Sequence, residues 1–163
     1  ALARLDNIPV DIDDTTDLRE ICVDVAAQFA PLTVKEGRSI EVVGADRPIT
    51  VPGDADSVEQ AVRNLVENAI KFSGEGTTVT LKIDDDKRIA VIDHGPGVPT
   101  EMREMIFERF RRSDERSSGS GLGLHIARRI VEAYDGSIEV SDTPGGGATF
   151  TIDFSERPVG SMA

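Results

Sequence analysis

The sequence is short of several residue types. Among 163 residues it has one cysteine, no tryptophan, one tyrosine and two histidines, and acidic side chains outnumber basic ones 30 to 18. A lone cysteine closes no internal disulfide, so a reducing compartment is the default. Cys22 lies between Ile21 and Val23, the setting of a small core residue rather than of a reactive thiol. The net charge of −12 argues against nucleic-acid binding and against direct contact with an anionic membrane, since both demand a basic face. No run approaches the ~20 apolar residues of a membrane span, and no basic segment leads into an apolar one. What is there is ordinary globular composition, 39% hydrophobic and 29% charged. Such a chain can bury roughly two-thirds of its unfolded surface as one domain.

Hydrophobic periodicity divides the chain. Residues 1–16 are acidic and poorly periodic and are expected to be the end of a preceding helix plus a linker. Asp17 to Phe29 carries a helical stripe. "SIEVVG" and "ITVPG" have the pattern of two short strands around a turn at Asp46–Pro48. Asp54 to Phe72 is the clearest helix, with Val58, Ala61, Val62, Leu65, Val66, Ala69 and Ile70 on one face. "TTVTLKI" and "RIAVID" follow as strands joined by an acidic turn. Thr100 to Phe107 is expected to form a short helix with Thr100 as its N-cap. A polar loop over 108–120 leads into a helix from Leu122 to Tyr134, with Gly136 as its stop signal. "SIEVSD" and "ATFTIDF" are the last strands, and 156–163 is a tail expected to fray. Short turns between strands imply antiparallel neighbours. The expected fold is α/β, a two-layer sandwich: a mixed sheet of about five strands covered on one face by about three helices.

Four stretches carry chemistry. In "NLVENAIKFS", Asn64, Asn68 and Lys71 are spaced i, i+4, i+7 and share a helix face. Asparagine is a weak helix former, and its amide oxygen is a hard, neutral ligand suited to Mg²⁺, with Lys71 a phosphate-pairing charge. A solvated helix edge would explain the same residues. In "AVIDHGPGVP" a buried strand ends in Asp93. A carboxylate there needs a donor, which the exocyclic amino group of a purine would supply, although a turn started by aspartate accounts for the residue equally well. In "FERFRRSDERSSGSGLGL", the part from Arg109 to Arg116 sets four arginines against Asp114 and Glu115, a local net of +2. Gly119, Gly121 and Gly123 then free backbone N–H groups at a helix start, where the dipole favours anions. The fourth stretch, "PGGGATFTI", is a glycine turn feeding a strand; its expected role is to let the Asn68 helix and the glycine flap pack close by. The spacing fits neither a dinucleotide fingerprint nor a Walker loop.

Taken in order, "NLVENAIKF", "DHGPG", "FERF", "GSGLGL" and "GGGATFTI" resemble the five ATP-binding boxes of sensor histidine kinases, over roughly residues 50–154. The resemblance implies the Bergerat fold, shared with gyrase, mismatch-repair ATPases and heat-shock chaperones, with a flexible ATP lid and ATP and Mg²⁺ as cofactors. By it Asn68 ligates Mg²⁺, Asn64 and Lys71 contact metal or phosphate, and Asp93 binds the adenine amino group. Gly95 and Gly97 shape the adenine pocket, and Phe107 and Phe110 pin the base of the lid. Gly119, Gly121 and Gly123 anchor that lid, and Leu122, Leu124 and Thr149 complete the nucleotide-binding set. The partners implied are a dimerisation hairpin carrying the acceptor histidine and a response regulator receiver domain. The expected setting is the cytoplasmic part of a membrane sensor, monomeric as this domain and dimeric in its parent.

Two departures matter. The residue after Asp93 is His94, where the family often has asparagine. Moreover, His94 and His125 are the only histidines, and neither resembles an exposed phosphoacceptor. The chain is therefore expected to hold the catalytic domain over 17–155, with "ALARLDN" as a stub of the missing hairpin. Relatives that hydrolyse ATP place a glutamate base four residues before the metal-binding asparagine. Here that position is Asn64, and an amide takes no proton from water. Transfer to an external nucleophile is favoured. The alternatives are an anti-sigma-type serine kinase of the same fold and a degenerate nucleotide-binding module.

Overall fold

The computed structural model describes residues 14–108 and 122–155. The expectations placed on residues 1–13, on the arginine- and serine-rich stretch with Phe110, Gly119 and Gly121, and on the tail 156–163 lie outside the described residues. Strand β1 (Thr15–Asp17) runs into helix α1 (Leu18–Lys35), followed by β2 (Ser39–Gly44), β3 (Thr50–Pro52), α2 (Ala55–Phe72), β4 (Thr78–Ile83) and β5 (Arg88–Ile92). Two 3₁₀ turns (Thr100–Met102 and Met105–Phe107) precede α3 (Gly123–Ala133), β6 (Ser137–Asp142) and β7 (Ala148–Asp153).

The main sheet has five strands in the order β2-β4-β5-β7-β6. Only β2 and β4 are parallel; the other neighbours are antiparallel. One face is apolar: Val79, Leu81, Ile83, Ile89, Val91, Phe150 and Ile152 are fully buried there. The helices cover that face, as the two-layer expectation requires. Every stripe residue of α2 is buried. Full burial of a single Val or Leu is worth roughly 1.5–3 kcal/mol, so packing, more than propensity, holds this helix. Asp54 caps its start by accepting from the Ser57 N–H at 3.0 Å.

Several local expectations are corrected. Strands β2 and β3 are not a hairpin. The chain leaves the sheet at Gly44 (φ +105), where a Cβ would sit 2.1 Å from the Ile83 carbonyl oxygen. Strand β3 then pairs with β1, Thr16 opposite Val51, in a separate two-stranded sheet. Strand β1 thus lies largely inside the stretch expected to be linker. Helix α1 runs past Phe29 and through Pro31 to Lys35. Its last turns are anchored by Thr33, which is buried and donates to the Ala30 carbonyl at 2.9 Å. Thr100 caps nothing: Pro99 holds the N-cap position, without a side-chain bond, and the segment is two 3₁₀ turns instead of one helix. Nor is Gly136 the left-handed residue that ends α3. Asp135 is (φ +65). The Asp135 N–H donates to Glu132 and the Gly136 N–H to Val131, at 3.0 and 2.9 Å, the Schellman pattern. Glycine is needed at 136 for space, because a Cβ would lie 2.9 Å from Asp153, Phe154 and Val131 atoms.

Cys22 is buried, as expected. Burial, then the Asp17 charge, pushes its thiol up to about 12. It stays protonated and unreactive near neutral pH.

Candidate functional site

The inward alternation of β5, Ile89 then Val91, continues one step beyond the strand and puts Asp93 on the same face, fully buried. Its Oδ1 accepts two backbone N–H groups, from Gly95 and Ala148, each at 3.0 Å. Its own N–H donates to the Ala148 carbonyl at 2.9 Å. Oδ2 is buried with no hydrogen-bond partner. Leaving such an oxygen unsatisfied costs about 1–3 kcal/mol, more when it is charged. A fold that maintains this arrangement is set up to receive a donor, and an amino group of a base fits.

Glycines make this geometry accessible. At Gly147 (φ +122) a Cβ would sit 2.1 Å from the Asp93 carbonyl oxygen; at Gly95 it would sit 2.3 Å from that of Phe72. The Asp93 loop is therefore pressed between the β6–β7 turn and the C-terminal end of α2. Within the "GGG" turn it is Gly147 that packs against Asp93 and His94; the glycine flap expected to lie near it is outside the described residues. Gly97 (φ +78) faces the Gly147 carbonyl oxygen.

On α2, Asn68 is half-buried, and its Nδ2 is buried without a hydrogen-bond partner. Since the two ends of an amide are assigned by their hydrogen bonds, Asn68 can turn its oxygen toward a cation or its nitrogen toward a phosphate. Lys71, one turn on, is exposed. Asn64 Nδ2 donates to the Gly123 carbonyl at 3.1 Å, tying α2 to the first residue of α3. The N-cap of α3, Leu122, supplies no side-chain bond to the first turn, and a Cβ at Gly123 would meet nothing within 4 Å. That end presents backbone donors and the positive end of a dipole, the setting for an anion. Leu124 packs, half-buried, against the core.

Phe107 is buried and meets Phe150 edge-on, with ring centroids 6.1 Å apart at 76°. Phe150 stands opposite Val91, so the ring pair braces the strand that carries Asp93. Thr149 is not brought to this group. It alternates with the inward Ala148 and Phe150, and its hydroxyl meets that of Thr143 at 2.9 Å on the other side of the sheet. Position 148, which does face Asp93, holds an alanine and contributes only its backbone. That contact leaves no trace in a sequence, because almost every residue has an N–H. His94 is exposed and His125 half-buried. An open groove of about 430 Å³ lies between residues 96–99 and 142–147. Neither Asp93 nor Asn68 lines it, so the chemistry does not coincide with the groove. Among the described residues no three His, Cys, Asp or Glu side chains gather as a metal cage. A cation at Asn68 would thus be shared with phosphate oxygens, as Mg²⁺ usually is.

Architecture and site define an α/β sandwich with a buried, half-satisfied carboxylate at a strand end. Residues 53–158 match the family model described as histidine kinase-, DNA gyrase B-, and HSP90-like ATPase. The adaptive-response sensory kinase SasA of Parasynechococcus marenigrum is 36% identical over 146 residues, 83% of this chain and 37% of SasA. The nucleotide-free catalytic domain of histidine kinase ThkA superposes with a TM-score of 0.77 at 28% identity, over 85% of this chain and 92% of that one. ThkA has also been solved in complex with the response regulator protein TrrA, with 26% identity, TM-score 0.72 and 85% and 40% coverage. Full-length ShkA in complex with AMPPNP gives 0.79 at 30% identity, over 94% of this chain and 33% of ShkA. The chain belongs to the histidine kinase-, gyrase- and HSP90-like ATPase family, as an ATP-binding catalytic domain of the sensor histidine kinase type. It spans little more than a third of SasA's length. Among the described residues no helix is long and apolar enough to cross a membrane.

Proposed function

We propose that this domain binds Mg·ATP and directs phosphoryl transfer to a histidine on a separate dimerisation hairpin, in the cytoplasmic part of a dimeric two-component sensor. The observation that carries this reading is the Asp93 carboxylate: one oxygen saturated by backbone, the other buried and waiting. When bound, ATP supplies the γ-phosphoryl group and Mg²⁺ neutralises its charge. Asp93 accepts from the adenine amino group, and the loop of Gly95 and Gly97 sets the depth of the base. Asn68 holds the cation with its amide oxygen, and Lys71 pairs with phosphate. The first turn of α3, with Gly123, faces the phosphate chain. Asn64 fixes that turn against α2. Rate enhancement on this scheme comes from positioning and charge stabilisation, with no covalent step on the domain.

Asn64 stands where a hydrolytic relative would need a base, and a glutamate at 67 is about 100° round the helix from Asn68. Both features favour transfer over hydrolysis. The receiver domain of a response regulator is the proposed onward acceptor, by analogy with ThkA and TrrA.

Radiolabelled Mg·ATP mixed with this domain and a separately supplied histidine hairpin tests the scheme. The expected result is acid-labile label on the hairpin, lost with Asn68→Ala. Label on a serine partner instead, or rapid hydrolysis by the domain alone, would overturn it.

A further inference from the structure

Arg128 was not among the residues singled out by motif, yet it contacts two carboxylates and the Phe107 ring. It lies on α3 with about a third of its side chain exposed (32%). Its Nε donates to Glu132 Oε2 one turn on, at 3.2 Å. Its Nη1 donates to Glu104 Oε1, also at 3.2 Å, in the short link between the two 3₁₀ turns. The guanidinium lies over the Phe107 ring, 5.4 Å from its centroid. The same ring meets Phe150 on β7. An ordinary i, i+4 surface pair would need Glu132 alone. The bond to Glu104 and the contact with Phe107 join α3 to the 3₁₀ segment some twenty residues earlier in the sequence.

We infer that Arg128 is a positioning residue for the phosphate end of the nucleotide site, setting α3 against the Phe107 turn. Its two nitrogens are directed at carboxylates on different elements, and its plane is set by an aromatic ring. A planar fork can do both at once; an ammonium cannot. Moving α3 would move the donors of its first turn. It would not move Asp93, whose two N–H partners come from Gly95 and Ala148. Arg128 therefore supports binding of the phosphates and leaves recognition of the base alone. This inference rests on the assignment of Asp93 and α3 to opposite ends of one nucleotide.

The test uses the whole chain and two probes, Mg·AMPPNP by calorimetry and adenosine by NMR titration. Arg128→Ala is expected to weaken AMPPNP about tenfold while adenosine affinity stays within about twofold of the parent protein. Arg128→Lys is expected to recover only a small part of the loss. Glu104→Gln removes one arm and leaves the helix intact; it should show the same split at a few-fold level, even if the alanine variant folds poorly. Equal loss of both probes would mark a merely structural role, and unchanged AMPPNP affinity in all three variants would remove any role; either result overturns the inference. A parent protein that binds neither probe would instead overturn the nucleotide reading itself.

Discussion

The two ends of the proposed nucleotide site are built in different ways. The base end is made of backbone: Asp93 is held by two N–H groups, and glycines at 95 and 147 let chain press directly on chain. The phosphate end sets the backbone donors of α3 with side chains: Asn68 with an unpaired amide nitrogen, Asn64 reaching to Gly123, and Arg128 joining two carboxylates and a ring. Backbone contacts hold whatever the side chains are, provided that no Cβ intrudes. Side-chain contacts can be retuned one residue at a time. A shared fold can thus keep adenine recognition constant while varying what is done with the phosphates.

Substitutions can break or sharpen this contrast. The largest effect is expected from Gly147→Ala, which places a Cβ against the Asp93 carbonyl oxygen at a φ of +122. A cost of about 2–4 kcal/mol follows from the clash and the strained backbone, read as a fall in Tm of roughly 4–16 °C. Gly123→Ala is the control: it meets nothing within 4 Å, and its Tm should be unchanged or slightly raised. Next comes Asp93→Asn. The amide keeps an oxygen for the Gly95 and Ala148 N–H groups but presents a donor where an acceptor was. Loss of a charged hydrogen bond, about 1.5–3 kcal/mol, should weaken ATP roughly 10- to 100-fold in calorimetry with little change in Tm.

Asn64→Ala removes the tie to the Gly123 carbonyl. About 0.5–1.5 kcal/mol is at stake, and AMPPNP should weaken more than adenosine. Equal weakening would mean that the two ends are not separable.

The smallest effect lies away from the site, at Asp153. Burial alone would raise its pKa, but bonds from Ser155 and Arg88 outweigh this and hold the carboxyl below its ordinary value. A depressed folded-state pKa stabilises above the unfolded value and is lost as pH falls through the folded one. Melts of Asp153→Asn from pH 7 downward should therefore show a shallower acid limb than the parent protein, by a modest margin for so exposed a pair.

Legibility in the sequence followed the range of the interactions. The α2 stripe from Val58 to Ile70 was readable because a helix writes its core face every three or four residues. The ends of β4, β5, β6 and β7 were readable from alternation and turns. Strands β2 and β3 show in sequence only as two short strands around a turn, because the parallel pairing of β2 with β4 depends on a strand that comes much later in the chain. The face of Thr149 was equally hidden: parity along β7 acquires meaning only from its register with β5. Asn64, Asn68, Asp93 and Gly123 were found by motif, but the Asn64–Gly123 bond was not. Arg128 belongs to none of the motifs, because its contacts with Phe107 and Glu104 join segments far apart in the sequence.

By itself the amino-acid order determined the helices, most strands and the family's ordered motifs, because each is written in local spacing. Tertiary structure alone decided which Asp93 oxygen is saturated and which alanine backbone saturates it. It also decided which threonine turns away and which arginine braces the helix. Those outcomes depend on contacts between segments far apart in the chain, and such contacts exist only once the sheet has set its register.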